Sequence, residues 1–264
     1  MLEIKDIWKT FNAGTTNEKV ALQGVSLTLA DGDFVTVIGG NGAGKSTLMN
    51  AVAGVYHVDQ GTITIGGTDV TRLPEHRRAP YIGRVFQDPM MGTAASMQIE
   101  ENLALAARRG QKRGLGWSIT KAEREEYHTL LGTLGLGLEE RMTSKVGLLS
   151  GGQRQALTLL MATLRKPKLL LLDEHTAALD PKTAAKVLET TETIVRRDKL
   201  TTLMITHNMR DAIAHGNRLI MMFEGRIAVD VSGEEKKKLT VEGLLELFSK
   251  ASGSDEADDK LLLS

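Results

Sequence analysis

Short apolar runs alternate with amphipathic stretches along most of the chain. Residues 34–38, FVTVI, are apolar or β-branched, as is typical of a strand buried on both faces. The preceding segment VALQGVSLTL is predicted to be a second strand, with a turn at residues 31–33. Further strands are predicted in KLLLLDE, TTLMITH, RLIMMFEG and RIAVDVSG, and segments with helical spacing separate most of them. This alternation predicts an α/β fold in which helices wrap a mostly parallel sheet.

Two regions depart from this pattern. The segment GTITIGGTDV alternates around a glycine pair, which predicts a β-hairpin and an antiparallel β subdomain. Between residues 89 and 166, alanine, leucine and charged residues dominate, and IEENLALAARR and KAEREEYHTLLGTLGL have helical spacing. This part is predicted to be an α-helical subdomain inserted into the core. Residues 251–264 are polar and acidic and are predicted to form a flexible tail.

Composition narrows the function classes. The 264 residues include 33 basic and 33 acidic side chains, and this zero net charge argues against a nucleic-acid partner. The chain has no cysteine, which excludes disulfides, thiolate catalysis and cysteine-ligated metal sites. The N-terminus lacks the apolar core of a signal peptide, and no window approaches a membrane-spanning run. We therefore expect a chain that does not cross a membrane, which leaves open a position beside one.

A glycine-rich loop, GGNGAGKST, separates a predicted strand from a predicted helix. The phosphate-binding motif G-x-x-x-x-G-K-[ST] is matched by Gly39, Gly44, Lys45 and Ser46. Such a loop surrounds an anion with backbone N–H groups, and the helix N-terminus adds partial positive charge. Lys45 is predicted to reach the β- and γ-phosphates, and the Ser46 hydroxyl to bind Mg²⁺. Further contacts in this P-loop NTPase core are expected from Asn41, Gly42, Ala43 and Thr47. The alternative is a strand–helix turn with a solvated lysine.

Two carboxylates follow the leucine run in LLLLDE. Ligands bind at the carboxyl ends of parallel strands, so Asp173 is predicted to lie beside the phosphate loop and to bind Mg²⁺ through water. Glu174 is predicted to orient and deprotonate the attacking water as general base. The alternative is a strand end with two solvated acids, which the phosphate loop makes the weaker interpretation.

A second polar glycine turn, LSGGQ, occupies residues 149–153, although one nucleotide needs only one such loop. Ser150, Gly151 and Gly152 precede the helical run QRQALTLLMATLRK, so they mark another helix N-terminus that can bind an anion. The alternative is an ordinary helix cap, because serine is a good N-cap residue.

The motifs GGNGAGKST, LSGGQ, LLLLDE, AALD and ITH occur in the order found in the ATP-binding subunits of ABC transporters. The chain resembles that family over nearly its whole length, and LSGGQ is the most specific signal. The resemblance implies an ABC-type ATPase domain at residues 1–250. Within it, a RecA-like core at 1–88 and 167–250 would enclose the helical subdomain at about 89–166.

The resemblance also implies a use for the second glycine turn. Two copies of the chain would pack head to tail around two ATP molecules, each with Mg²⁺. The turn of one copy would close over the γ-phosphate held by the other, through Ser150, Gly151, Gly152 and Gln153. ATP would hold the dimer closed, and hydrolysis would open it.

Other residues are assigned by their local match to the family. Gln87, in VFQDP, matches the glutamine loop that senses Mg²⁺ or the attacking water. His207, in TLMITH, matches the switch histidine that contacts the γ-phosphate, and Asp180, in AALD, matches the loop that crosses the dimer interface. Phe11, in WKTF, falls where an aromatic ring stacks on adenine, with Trp8 as the rival.

The chain reads DEHTAALD where the family commonly has D-E-P-T-S-A-L-D, so His175 replaces a proline and Ala178 a serine. A proline would restrict Glu174 to extended geometry. Histidine relaxes that restriction and is expected to add a titratable group beside the base. Because Asp173, Glu174 and Asp180 remain, no loss of hydrolysis is expected.

Three function classes compete. A small-molecule kinase or GTPase has no use for LSGGQ, and the guanine-binding motif N-K-x-D is absent. A soluble ABC ATPase of a cofactor-assembly system and an exporter ATPase stay open. The favoured interpretation is an ATPase that powers a separate membrane permease from the cytoplasmic face, as in bacterial importers. A solute-binding protein is then an indirect partner, and the expected solute is an amino acid or a related small molecule.

Two segments are candidates for contact with the permease. DPMMGTAASMQIEENL holds Met90, Met91 and Met97 among small residues, and in the family this region receives a coupling helix from the permease. Core packing is the alternative. Residues 108–121 contain five basic side chains and no acid, so they either approach anionic head groups or the permease, or form a solvated loop.

Overall fold

The computed structural model describes residues 1–111 and 119–252. Within these residues, no helix combines the length and the apolar character needed to cross a bilayer. The middle of the basic segment, 112–118, lies outside the described residues, and so does nearly all of the predicted acidic tail, 253–264.

The described residues form ten strands in two sheets. In chain order the strands are β1 (Leu2–Phe11), β2 (Lys19–Leu29), β3 (Phe34–Ile38), β4 (Gln60–Ile65), β5 (Thr68–Asp69), β6 (Ile82–Val85), β7 (Leu169–Asp173), β8 (Thr202–Ile205), β9 (Arg218–Phe223) and β10 (Arg226–Ser232). The larger sheet has the order β10-β9-β3-β8-β7-β6, and only β10 is antiparallel to its neighbour. The central strands are buried along almost their whole length, as their apolar composition predicts. The predicted mostly parallel sheet is confirmed.

The smaller sheet is antiparallel, with the order β2-β1-β4-β5, and β4 and β5 form the predicted hairpin. Strand β1 was not predicted. Its side chains Leu2, Ile4 and Ile7 are buried, but the alternation shifts near Asp6, which has a φ of +46° where the register with β2 breaks. An irregularity of this kind interrupts the period-two pattern by which a strand is found in a sequence.

Nine α-helices occur in the described residues. They are α1 (Lys45–Ala53), α2 (Glu75–Arg78), α3 (Ile99–Ala107), α4 (Lys121–Gly132), α5 (Gly151–Thr163), α6 (Pro181–Asp198), α7 (Met209–Ala214), α8 (Gly233–Lys237) and α9 (Val241–Ser252). Helices α3, α4 and α5 lie between β6 and β7 in the chain, where an inserted helical region was predicted. The precise domain boundaries stay a prediction.

Two arginines at the start of the basic segment are engaged within the chain. Arg108 Nη2 lies 2.9 Å from Glu123 Oε1, and Arg109 Nη2 donates a hydrogen bond to the carbonyl of Ala162 at 2.9 Å. These two side chains therefore help to hold α3 against α4 and α5.

Buried apolar side chains cover both faces of the larger sheet. Alternate residues of β7 point to opposite sides, because side chains alternate along a strand. Leu169 and Leu171 join the cluster that contains α1 and the smaller sheet, whereas Leu170 and Leu172 join the cluster that contains α3, α4 and α5. Packing on both faces fixes the positions of the strand ends.

Candidate nucleotide-binding site

The ends of three adjacent strands bring the predicted site together. Strands β3, β8 and β7 are parallel neighbours, so their carboxyl ends meet at one edge of the sheet. The phosphate loop follows β3, Glu174 follows β7, and His207 follows β8. A cavity of about 530 Å³ lies among them. The predicted site residues that line it are Phe11, Asn41, Gly42, Ala43, Gly44, Lys45, Ser46, Thr47, Gln87, Glu174 and His207.

Lys45 is a buried cation at the base of the phosphate loop. The residue is 5% exposed, and its Nζ donates hydrogen bonds to the carbonyls of Gly39 at 2.6 Å and Gly40 at 3.1 Å. Burial lowers the pKa of Lys45, while the carboxylates of Glu174 and Asp173 oppose that shift. Within the described residues, Lys45 has no ion-pair partner. A buried ammonium group that lacks a carboxylate partner suits an anionic ligand.

The glycines of the loop are required by close backbone contacts. Gly39 has a φ of +148°, and a Cβ there would lie 2.3 Å from the carbonyl oxygen of Met222. Gly44 has a φ of +104°, and its Cβ would lie 2.7 Å from the carbonyl oxygen of Ala21. Gly44 is also the N-cap of α1, and no side chain caps that helix. The loop therefore fits a phosphate chain, which would supply the missing cap.

Asp173 lies at the predicted strand end but has a partner that was not predicted. Arg84 Nη2, on β6, lies 3.3 Å from Asp173 Oδ2 and 2.8 Å from Asn50 Oδ1. Among the described residues, no cluster of three histidine, cysteine or acidic side chains could hold a metal. Ser46 lines the cavity, and Asp173 ends β7 directly before Glu174, which also lines it. One hydroxyl and one carboxylate are compatible with Mg²⁺, which takes few protein ligands and keeps several waters.

Glu174 and His207 form a close pair across the strand ends. His207 Nε2 lies 2.5 Å from Glu174 Oε1, and the side chains are 28% and 10% exposed. The backbone of Glu174 has a φ of +46°, in the left-handed region that glutamate rarely adopts. Its N–H donates to the carbonyl of Ile205 at 3.1 Å, which joins the end of β7 to β8. A second group thus fixes the orientation of the Glu174 carboxylate, which is the geometry that the predicted role of general base requires.

The turn LSGGQ begins a helix, as predicted. Ser150 is the N-cap of α5: its Oγ accepts from the N–H of Gln153 at 3.2 Å, and the Gln153 side chain accepts from the N–H of Ser150 at 3.2 Å. Ser150 and Gly151 are exposed, and neither is among the described residues that line the cavity at Lys45. The turn is therefore separate from the phosphate loop of its own chain.

Asp180 holds the loop beside this turn. It is the N-cap of α6, and its Oδ1 accepts from the N–H of Thr183 at 3.1 Å. A Cβ on Gly152 would lie 2.1 Å from Thr183 Cγ2, so the LSGGQ turn packs closely on the first turn of α6.

The structure distinguishes between Phe11 and Trp8, the two candidates for stacking on adenine. Phe11 lines the cavity, and its ring packs edge-on against Tyr56 with the centroids 5.2 Å apart. Trp8 does not line the cavity in the described part of the chain; its Nε1 donates to Asp6 Oδ1 at 3.0 Å. Phe11 is therefore the better placed to contact a base.

His175 differs from the expectation. It is 2% exposed, and its Nε2 lies 3.1 Å from the Oγ1 of Thr191 on α6. Burial lowers the pKa of His175 to about 4, so the ring is neutral near pH 7. The side chain is not a titratable group beside the base, because the core under α6 encloses it.

Comparison with known proteins identifies the family. Residues 22–177 match the family model described as ABC transporter. The tyrosine transport ATP-binding protein of Clostridioides difficile (strain R20291) is 45% identical over 251 residues, which cover 95% of this chain and 100% of that protein. The thiamine import ATP-binding protein ThiQ of Shigella flexneri serotype 5b (strain 8401) is 34% identical over 210 residues, which cover 80% of this chain and 85% of that protein.

Solved structures agree with this result. The dimeric structure of a post-hydrolysis state of an ATP-binding cassette bound to ADP and Pi matches with a TM-score of 0.75 at 27% identity, covering 88% of this chain and 98% of that chain. The predicted fold class is confirmed, and so are ATP and Mg²⁺ as the ligands. The chain belongs to the ABC transporter family and is one of its ATPases.

Proposed function

We propose that this ATPase powers the uptake of a small solute through a separate permease, as one half of a head-to-tail dimer with two shared ATP sites. One observation carries the proposal: the signature turn, residues 149–153, exposes Ser150 and Gly151 and lies outside the cavity that its own phosphate loop lines. A second anion site without a ligand in its own chain suits the ATP held by another copy. The dimeric cassette structure supports this arrangement for a similar protein.

Within the shared site, each residue of this chain has one role. Lys45 and the loop amides hold the β- and γ-phosphates, and Phe11 contacts the adenine. Mg²⁺ neutralises phosphate charge when it is bound, and Ser46, Asp173 and Gln87 are the residues that would hold it. Glu174 accepts the proton of the attacking water.

His207 holds the Glu174 carboxylate in one orientation, because His207 Nε2 lies 2.5 Å from Glu174 Oε1. His207 also lies on the cavity wall, where it is placed to contact the γ-phosphate. Closure of the partner's turn over the same phosphate excludes water from the site, which strengthens each of these interactions.

An exposed apolar surface next to the helical region is the proposed contact with the permease. Met90 is 47% exposed, Met91 is 69% exposed and Leu148 is 71% exposed. Arg154 links the two segments, because its Nη1 contacts Met90 Sδ and its Nη2 donates to the carbonyl of Gly147, next to Leu148, at 3.1 Å. A contiguous exposed apolar patch marks an interaction site. Leu148 was not predicted, because nothing in the sequence brings it next to the methionines. The chain would then lie at the cytoplasmic face of the membrane without crossing it.

The relatives suggest the solute class. The 45% identical relative is a tyrosine transport protein and is matched along its whole length, so an amino acid such as tyrosine is the proposed solute. Proteoliposomes that contain the permease, with this ATPase and ATP enclosed in the lumen, should take up labelled tyrosine only with active ATPase. Lys45→Met serves as the inactive control. Tyrosine flux equal in both preparations would contradict the proposed solute.

Dimer closure is tested with the Glu174→Gln variant and ATP. The variant retains the phosphate contacts but loses the base, so it should hold ATP without turnover. Light scattering should then give a mass near twice the 28.7 kDa of one chain, and the mass should fall to that of one chain with ADP. A single-chain mass with ATP, together with normal hydrolysis, would contradict the proposal.

A further inference from the structure

We propose that His175 is a positioning residue, which holds Glu174 in its left-handed backbone conformation through a hydrogen bond to Thr191 on α6. The inference rests on the proposed role of Glu174 as the base. It concerns the first position at which this chain departs from the pattern D-E-P-T-S-A-L-D.

The conformation of Glu174 needs support from its neighbours. Its φ is +46°, and a non-glycine residue keeps such a backbone only where the surrounding structure determines it. Its N–H donates to Ile205, its carbonyl accepts from the N–H of Ala177 at 3.0 Å, and its carboxylate contacts His207. The next residue along the chain, His175, attaches the segment to α6 through its side chain.

His175 is anchored in the core and not at the surface. It is 2% exposed, and its partner Thr191 is fully buried. The Thr191 hydroxyl donates to the carbonyl of Val187 at 2.8 Å, so its oxygen is the acceptor toward His175 Nε2 at 3.1 Å. The neutral ring of His175 therefore carries its proton on Nε2.

Proline at this position would leave no such bond. It would also disfavour a helical or left-handed conformation in the preceding residue. In this chain, a directional hydrogen bond to the 18-residue helix α6 holds the left-handed conformation that proline would disfavour. The bond sets where the segment after β7 begins, and with it the direction of the Glu174 carboxylate.

The test compares two substitutions at the acceptor. Thr191→Val has nearly the same shape and cannot accept the bond, whereas Thr191→Ser can. For Thr191→Val we expect kcat for ATP hydrolysis to fall about tenfold, because small displacements of a reacting group slow the chemistry. KM and the affinity for ATP should stay within about twofold, because the phosphate loop is unaffected. Thr191→Ser should restore kcat.

Equal kcat in wild type, Thr191→Val and Thr191→Ser would overturn the proposal. So would equal losses of kcat and of thermal stability in both variants, since that would show a packing role only. Glu174→Gln is measured in parallel. If it hydrolyses ATP at the wild-type rate, the assignment of the base fails; if it is inactive while Thr191→Val is fully active, only the positioning role fails.

A second measurement does not depend on any variant folding. In ¹⁵N-histidine-labelled wild type near pH 7, the nitrogen shifts of His175 should show the tautomer with the proton on Nε2. Shifts averaged between the two tautomers would overturn the proposal, because Nε2 would then hold no fixed hydrogen bond to Thr191.

Discussion

Two helix N-termini in this chain are built from glycine turns, and they differ in how the end of the helix is satisfied. At α1, the N-cap is Gly44, no side chain caps the helix, and the adjacent Lys45 is buried. At α5, Ser150 and Gln153 form a reciprocal capping box, and Ser150 and Gly151 are exposed. The first end is incomplete without an anion, whereas the second is complete in the chain alone.

This difference indicates that the phosphate loop binds ATP and that the LSGGQ turn acts in closure of the dimer. The phosphate loop lies in a cavity, and its uncapped helix end and buried lysine are both available to a phosphate group. It should therefore bind ATP in a single chain. The signature turn presents a finished helix end on the surface, so it should add affinity only when another surface brings a phosphate to it. Substitutions in each turn test this difference.

Lys45→Met should have the largest effect. Removing the buried cation should weaken ATP binding about a hundredfold, since a charged hydrogen bond of this kind contributes up to about 3 kcal/mol. Stability should change little, because methionine fills the same space without a charge to desolvate. Calorimetric titration with ATP and Mg²⁺ measures the change, with the exposed Lys186→Met as control. Affinity within threefold of wild type would refute the role of the buried cation.

The glycines should respond differently in the two turns. Gly39→Ala forces a Cβ to within 2.3 Å of the Met222 carbonyl oxygen and should cost about 2 kcal/mol of unfolding free energy. Gly151→Ala brings its Cβ to 3.3 Å from a side-chain atom of Leu179, in a helix, and should stay within about 0.5 kcal/mol of wild type. Urea unfolding of the two variants gives the comparison. Similar losses at both positions would show that the turns are equally constrained.

Ser150→Ala should have a smaller effect on a single chain than Lys45→Met or Gly39→Ala. Loss of the N-cap should cost about 1 kcal/mol, which lowers Tm by roughly 2–4 °C in a chain of this size. ATP affinity of the single chain should be unchanged, because Ser150 does not contact its own cavity. Thermal unfolding and titration check both statements, and Ser150→Asp, which retains the cap, is the matched control. Weaker ATP binding by a single chain of Ser150→Ala would contradict the separation of the two turns.

The parts of the molecule that could be predicted from the sequence are those set by local pattern. The strand before GGNGAGKST and the helix after it were predicted because apolar runs and the glycine motif lie within twenty residues of one another. The pairing of Arg84 with Asp173 was missed, because a lone arginine in a strand has no motif and its partner is 89 residues away. His175 was misjudged for a related reason: its burial depends on α6, which packs over it only in the folded chain. Side-chain partners across elements are thus the part that pattern alone does not determine.

If each ATP site needs residues from two chains, two inactive variants with complementary defects should restore hydrolysis when they are mixed. Lys45→Met disables the phosphate loop, and Gly151→Glu places a carboxylate that repels phosphate at the start of α5, where an acidic side chain still favours the helix. Each variant alone should be nearly inactive. In an equal mixture, half of the dimers are mixed and carry one intact site each, so hydrolysis should recover to about a quarter of the wild-type rate. No recovery in mixtures that do form mixed dimers, or full activity of Gly151→Glu alone as a single chain, would contradict the account.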